Sequence, residues 1–254
     1  MSETILEIHN LSFGFDKNKE LLHQVSLSIR KGEFCILAGP NGSGKSLLLK
    51  NIKGLLQQKA GTILIDELDV SKKQKTRRKK VGLVFQDADS QIIGQTVEKD
   101  ILFGLENMGV SSEKKKEKLN EIASLMELTD LLDRRPRTLS GGEKRRLAIA
   151  GVLAMEPSLV FMDEPFANLD YKGTRTVLAT LQTLKESGHT IVIVSHEIEK
   201  VAALSDRIMV IENGSIVVDK ATPLAIHELI EHDIYVPTIM GKPLPVEEMT
   251  WLKQ

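Results

Sequence analysis

Residues Gly39-Pro40-Asn41-Gly42-Ser43-Gly44-Lys45-Ser46 fit the spacing G-x-x-x-x-G-K-[ST] without a mismatch. Glycine lets a backbone curl around a phosphate without side-chain clash. Amides of the loop and of the next helical turn, Leu47 included, then point inward as an anion nest. Lys45 can bridge β- and γ-phosphates, and the Ser46 hydroxyl can ligate Mg²⁺. This spacing predicts a bound nucleoside triphosphate. Further on, Asp163-Glu164 follows the apolar run Leu159–Met162. Beside a phosphate loop, the first acid of such a pair suits holding Mg²⁺ through water, and the second suits orienting or deprotonating an attacking water. His196 follows another apolar run, Ile191–Val194. Taken singly it reads as an ordinary core or surface histidine; on a strand adjacent to the one ending in Asp163, it would face the same γ-phosphate. Leu139-Ser140-Gly141-Gly142-Glu143 opens a helical pattern and makes a second anion nest. One nucleotide needs one nest, so the surplus predicts a loop that caps the nucleotide held by another subunit.

These groups need strand ends and helix starts to hold them. Alternation predicts strands at Ile5–Phe15 and Val25–Ile29, with a polar turn over Lys17–Glu20 between them. Phe34–Ala38 reads as a buried strand feeding the loop, and Lys45–Lys53 as a helix packed through Leu47, Leu48 and Ile52 and stopped by Gly54. Gly61–Asp66 and Val81–Phe85 read as strands. Between them, Lys72–Lys80 carries seven basic residues in nine. A phosphate-rich or membrane-surface contact is one reading; a solvated face is the other, and it is favoured because no aromatic residue is interleaved. From Thr96 to Ala154 the texture is helical, with segments at Thr96–Leu105, Glu113–Met126, Leu128–Leu132 and Gly142–Met155. That predicts a helical subdomain over about 93–156, inserted in a strand-rich core. Tyr171–Ser187 follows as a helix, Thr190–Val194 as a strand, and a short helix starts at Glu197. Arg207–Ile211 and Ser215–Val218 pair around Asn213-Gly214. The tail has a short helical pattern at Leu224–Glu231. Alternating strands and helices predict an α/β class with a largely parallel sheet, flanked by early antiparallel strands.

The totals fit this reading. With 254 residues, 41% hydrophobic and 27% charged, the chain is long enough for a substantial core. A net charge of −1 argues against nucleic-acid binding through bulk electrostatics. The single cysteine, Cys35, excludes an internal disulfide and reads as a buried, inert thiol in a reducing compartment. The first ten residues lack the apolar core of a signal peptide, and no apolar run is long enough to cross a bilayer. Any membrane crossing would come from a partner chain.

In this order, phosphate loop, signature, Asp-Glu pair and histidine closely resemble the ATP-binding-cassette (ABC) ATPases, over the chain up to about Ala221. The resemblance implies a P-loop NTPase (RecA-like) core with an antiparallel β subdomain and a helical insertion, in an ATPase domain of residues 1–221 with 222–254 as a short C-terminal extension. Leu139–Glu143 looks like the signature loop that sandwiches ATP against a partner's phosphate loop in a head-to-tail dimer. Gln86 resembles the lid glutamine that senses Mg²⁺ and water, Asn168-Leu169-Asp170 the loop coupling the two sites, His196 the switch histidine, and Phe15 the aromatic that stacks on adenine. The implied catalytic set is Glu164, His196, Lys45 and Gln86. The implied nucleotide contacts are Phe15, Gly39, Asn41, Gly42, Ser43, Gly44, Lys45, Ser46, Leu47, Ser140, Gly141, Gly142 and Asp170, with Ser46, Gln86 and Asp163 toward the metal. Val84–Gln91 and Thr96–Gly104 narrow the likeness to the ATPase subunits of energy-coupling-factor (ECF) importers, which take up vitamins, nickel and cobalt. That implies a peripheral protein on the cytoplasmic membrane face, paired with a copy or homologue and docked near Gln86–Phe103 to an integral membrane subunit, with a substrate-binding subunit engaged indirectly. Asp87 and Asp89 would offer carboxylates to the partner's arginines, or form an acidic capping turn. The departures are Phe15 for the common tyrosine, Asp87-Ala88-Asp89 for Asn-Pro-Asp, and Glu143 for glutamine. Rival readings are an ABC ATPase of another transporter class, one serving soluble partners such as iron–sulphur assembly, and a module that binds ATP without hydrolysis.

Overall fold

The computed structural model describes residues 3–16 and 19–252, so the turn expected at Lys17–Glu20 lies partly outside the described residues. The chain begins with β1 (Thr4–Phe13), β2 (Leu22–Arg30), β3 (Phe34–Ala38), α1 (Lys45–Lys53), β4 (Ala60–Ile65) and β5 (Leu68–Asp69). Next come α2 (Gln74–Lys80), β6 (Val81–Val84), α3 (Val97–Asn107), α4 (Ser112–Leu125), α5 (Gly141–Leu153) and β7 (Leu159–Asp163). The chain continues through α6 (Tyr171–Glu186), β8 (Ile191–Val194), β9 (Arg207–Glu212), β10 (Ser215–Ala221) and α7 (Thr222–Ala225). A two-stranded ribbon, β11 (Thr238–Ile239) with β12 (Lys242–Pro243), lies near the C-terminus.

Strands β2-β1-β4-β5 form an antiparallel sheet, and β10-β9-β3-β8-β7-β6 form a second sheet, parallel apart from the β9–β10 hairpin. The second sheet is buried on both faces, and its period of two shows in the packing. Phe34, Ile36 and Ala38 of β3 join one core with Val160 and Met162 of β7 and Ile191 and Ile193 of β8. Cys35, Leu37, Leu159, Phe161, Val192 and Val194 join the other. The first core takes further side chains from α3–α6, from β6 and β9 through Val84, Ile208 and Val210, and from tail residues such as Leu229 and Met249. The second takes them from the antiparallel sheet and from Leu48, Leu49 and Ile52 of α1. Each such fully buried aliphatic side chain stabilises by about 1.5–3 kcal/mol relative to exposure. The helices at 97–153 thus share one continuous core with the sheet rather than enclosing a separate one.

Several local expectations change. Leu47 is half-buried and Leu49 takes its place in the core. Leu128–Leu132 and the segment from Glu197 form only 3₁₀ turns, at Thr129–Leu131, Ile198–Lys200 and Ala202–Leu204. The tail pattern at Leu224–Glu231 breaks into α7 and a 3₁₀ turn at Leu229–His232. The basic run is not uniformly a solvated face: Arg77 is 0% exposed, with NH1 donating to Asn51 O at 2.7 Å and to Gln58 Oε1 at 3.2 Å. It rivets α2 to the end of α1, while Lys72, Lys73, Lys75, Arg78 and Lys79 stay exposed. The chain's end straps two distant segments: the Trp251 ring lies 5.3 Å from Tyr171, and Lys200 Nζ stands 4.5 Å from the centre of the same ring.

Candidate active site

Parallel strands deliver their C-terminal ends to one edge, and there β3, β7 and β8 set the reactive residues side by side. The phosphate loop leaves β3 at Gly39, where φ is +143° and a Cβ would stand 2.1 Å from Ile211 O, so only glycine fits. Asn41, Gly42, Ser43, Gly44, Lys45, Ser46 and Leu47 line a cleft of about 230 Å³ together with Gln86, Asp163 and Glu164. Lys45 is turned into the loop, its Nζ donating to Gly39 O at 2.7 Å and to Pro40 O at 2.9 Å. Burial lowers its pKa, and the charges of Glu164 and Asp163 oppose that shift.

Ser46 Oγ donates to Asp163 Oδ2 at 3.4 Å. Burial, and then the neighbouring charge of Glu164, raise the Asp163 carboxyl above its ordinary pKa, a state that an incoming cation would relieve. Among the described residues no three His, Cys, Asp or Glu side chains converge as a metal cage. Two oxygen ligands beside an anion nest fit a metal that keeps waters and shares substrate phosphates, which is the habit of Mg²⁺.

Glu164 sits at φ +44°, in the left-handed region that costs a non-glycine residue about 1 kcal/mol or more. Its amide donates to Val194 O at 2.8 Å across β7 and β8. That twist carries the carboxylate between two residues at the end of β8: Ser195 Oγ donates to Oε2 at 3.2 Å, and His196 Nδ1 lies 2.8 Å from Oε1. The glutamate side chain is 12% exposed and the imidazole 67%. Phe15 is outside the cleft lining; its ring is 70% exposed and meets Phe13 edge-on at 5.1 Å.

The second nest stands elsewhere. Ser140, Gly141, Gly142, Asn168 and Asp170 line a separate depression of about 630 Å³ that shares no residue with the first cleft. Ser140 caps α5 through a reciprocal capping box: Glu143 N donates to Ser140 Oγ at 3.3 Å, while Ser140 N and Oγ donate to Glu143 Oε2 at 2.7 and 2.8 Å. Asp170 caps α6 by accepting from Gly173 N at 2.7 Å. Gly142 is needed for packing as well as for its amide, since a Cβ there would lie 3.3 Å from Gly173 Cα.

Other residues tie the site together without a local signature. Arg145 NH1 and NH2 donate to Phe85 O and Gln86 O, each at 2.6 Å. Gln91 Oε1 accepts from Phe85 N at 2.8 Å, and Lys144 pairs with Asp89 at 2.7 Å. Of the two expectations for these acids, the turn is present in Asp89 N donating to Asp87 Oδ1 at 3.1 Å, and the Asp89 carboxylate meets a cation of its own chain, Lys144.

The family model for ABC transporters matches residues 22–167, more than half of the chain. The chain belongs to the ABC transporter ATP-binding family. It is 40% identical over 220 residues to the energy-coupling factor transporter ATP-binding protein EcfA1 of Streptococcus mutans, covering 85% of this chain and 78% of that protein. It is 40% identical over 240 residues to EcfA2 of Clostridium tetani, covering 92% and 81%. The solved structure of cbiO1 from Clostridium perfringens, described as part of the ABC transporter complex cbiONQ, superposes with a TM-score of 0.83 at 31% identity, over 89% of this chain and 92% of that one. On these relatives the chain is an ATP-binding, ATP-hydrolysing subunit of the energy-coupling-factor type. No helix among the described residues is long and apolar enough to cross a membrane.

Proposed function

We propose that the chain dimerises on two ATP molecules with a copy or a homologue, hydrolyses them, and drives an importer of a vitamin or transition-metal ion through an integral membrane subunit. The observation carrying this reading is that the phosphate loop and the Ser140 nest line separate depressions, so that each is half a site. Residues 1–221 form the ATPase domain, with the helical segment about 93–156 carrying the Ser140 nest toward the opposite subunit and 222–254 as an extension.

The roles follow from placement. The loop amides and Lys45 neutralise charge building on the transferred phosphoryl, Lys45 exchanging the carbonyls of Gly39 and Pro40 for phosphate oxygens. Ser46, Asp163 and Gln86 would hold Mg²⁺, which supplies charge neutralisation between the β- and γ-phosphates. Glu164 polarises the attacking water. His196 orients that carboxylate through Nδ1 and leaves Nε2 for the γ-phosphate. Phe15 offers an exposed ring for adenine, and Ser140, Gly141, Gly142 and Asp170 complete the site from the partner. An apolar groove of about 340 Å³ lined by Ile93, Phe103, Gly104, Met108, Val152 and Met155 suits a helix of the membrane subunit and supports the reading of a peripheral protein working at the cytoplasmic membrane face.

Glu164→Gln should bind ATP with unchanged affinity while turnover falls by a factor of about 100 or more. Undiminished phosphate release in that variant removes the assignment of the base. Specific activity should also fall when the ATPase is diluted below the dissociation constant of the dimer, and a flat profile overturns the shared site.

A further inference from the structure

The segment that carries Gln86 is held from behind by α5. Arg145 lies on the same helix that Ser140 caps and is 3% exposed. Its two terminal nitrogens donate to two consecutive carbonyls, Phe85 O and Gln86 O, at 2.6 Å each. A planar guanidinium presents two donors at fixed spacing, which a lysine or an amide cannot reproduce. The Asp87 carboxylate, next along the same segment, offsets part of the cost of burying this cation. Gln91 supports the tie, since its Oε1 accepts from Phe85 N at 2.8 Å and its Nε2 reaches Ala148 O of α5 at 3.5 Å. Lys144, the neighbour of Arg145, pairs with Asp89 in an exposed contact. The buried contact is rigid, and the exposed one can be exchanged for a partner's cation.

We infer that Arg145 is a positioning residue that makes the Ser140 helix and the Gln86 segment move as one body, so that closure of Ser140 on the partner's nucleotide sets where Gln86 stands at the chain's own nucleotide. The inference rests on the two-half-site reading above. It explains why a fully buried charge is spent on a loop of two carbonyls: without Arg145 those carbonyls lose their donors and the segment is free to shift relative to α5. A cation used only for stability would act on binding and turnover alike. One that positions Gln86 acts on turnover, and does so through Gln86.

The test is a cycle in the ATPase, assayed above the dissociation constant of the dimer, with wild type, Arg145→Met, Gln86→Ala and the double variant. Arg145→Met should lower kcat about ten-fold, shift the affinity for a fluorescent ATP analogue by less than about two-fold, and bring the Hill coefficient for ATP toward 1. The double variant should be no slower than Gln86→Ala alone, because the two act in one chain of cause. Multiplied losses in the double variant, or wild-type kcat and cooperativity in Arg145→Met, overturn the inference. If Arg145→Met is too unstable to purify, Arg145→Lys enters the same cycle, with a smaller loss that again disappears in the Gln86→Ala background. A wild type with a Hill coefficient of 1 and no loss on dilution marks failure of the shared site instead, and the cycle with Gln86 still reads the positioning.

Discussion

The two depressions proposed to meet the triphosphate are built on opposite plans. The phosphate loop hangs from the end of a strand buried on both faces; the histidine follows the neighbouring strand β8, and the acids close β7, one strand further on. The Ser140 depression hangs from the N-termini of α5 and α6, with no strand in it. The first has a volume of about 230 Å³ and holds a buried lysine already aimed inward; the second has about 630 Å³ and presents helix amides and caps. Strand ends in a doubly covered sheet are fixed by the packing of the whole core. A helix N-terminus can be swung as a unit, provided something grips the helix. The strand-end half suits binding, and the helix-capped half, proposed to meet the partner's nucleotide, suits reporting that binding to the rest of the molecule.

The sharpest way to break this contrast is to damage one half at a time. Lys45→Ala should cost the isolated chain a factor of about 100 or more in ATP affinity, because the cation lost is the one inside the nest. Gly142→Ala should leave that affinity unchanged, since its new Cβ pushes only against Gly173 on the far depression, and yet lower turnover about ten-fold. Nucleotide titration at low protein concentration, set beside turnover at high concentration, separates the two. Equal loss of binding in both variants dissolves the division into halves.

A second effect probes what the strand-end half costs the empty protein. The Asp163 carboxyl titrates above its ordinary value because of burial first and the charge of Glu164 second. A carboxyl with a raised folded-state pKa penalises the fold once ionised. That penalty is present above the folded-state pKa and is relieved as pH falls below it. Asp163→Asn should therefore raise the nucleotide-free melting temperature near neutral pH by about 2–4 °C, a size that corresponds to roughly 1 kcal/mol in a chain of this length, while abolishing turnover. The gain should shrink in acid. A variant that melts lower than wild type at pH 7 shows that the carboxylate stabilises the empty site instead.

What was legible in the sequence follows the same division. The phosphate loop, Asp163-Glu164 and His196 are legible because each is contiguous in sequence: a complete loop pattern after one apolar run, and acids and a histidine closing two more. Their convergence on one sheet edge followed only if the strands were parallel neighbours, as β7 and β8 are. Arg145 was not legible, because its partners Phe85 and Gln86 lie some 60 residues away and no short pattern marks an arginine that turns inward. Arg77 hid for a related reason: six other basic residues surround it in sequence, and only the approach of α2 to the end of α1 selects it for burial. The segment after His196 reads as a helix in sequence, with Ile198, Val201 and Ala202 at helical intervals, but forms 3₁₀ turns where the chain is strapped to the Trp251 segment through Lys200 and through Ala203 N to Met249 O.

The smallest effect concerns the residue that departs from the family's usual choice. The Glu143 carboxylate accepts from both the amide and the hydroxyl of Ser140, and its pKa is lowered, chiefly by the backbone bond. In the proposed dimer, the Ser140 hydroxyl must turn from that carboxylate to a γ-phosphate, bringing like charges together. Arg146 and Lys172 in the same depression temper the repulsion. Glu143→Gln keeps a side chain that can complete the capping box but removes the charge. It should lower the KM for ATP by about two- to five-fold while leaving kcat near wild type, because it eases approach without touching the chemistry. It should also cost a few tenths of a kcal/mol, since a carboxylate at a helix N-terminus is favourable and this one is exposed enough to be screened. A depressed carboxyl pKa stabilises the fold above its unfolded value, and that contribution is lost as pH falls through the folded-state value. The stability difference between the variant and wild type should therefore be present at neutral pH, begin to shrink as pH falls past the ordinary glutamate value of 4.5, and vanish only below the lower folded-state value. An unchanged KM across ionic strength would mean that the Ser140 end of α5 never approaches a phosphate, and that the open depression is not half of a nucleotide site.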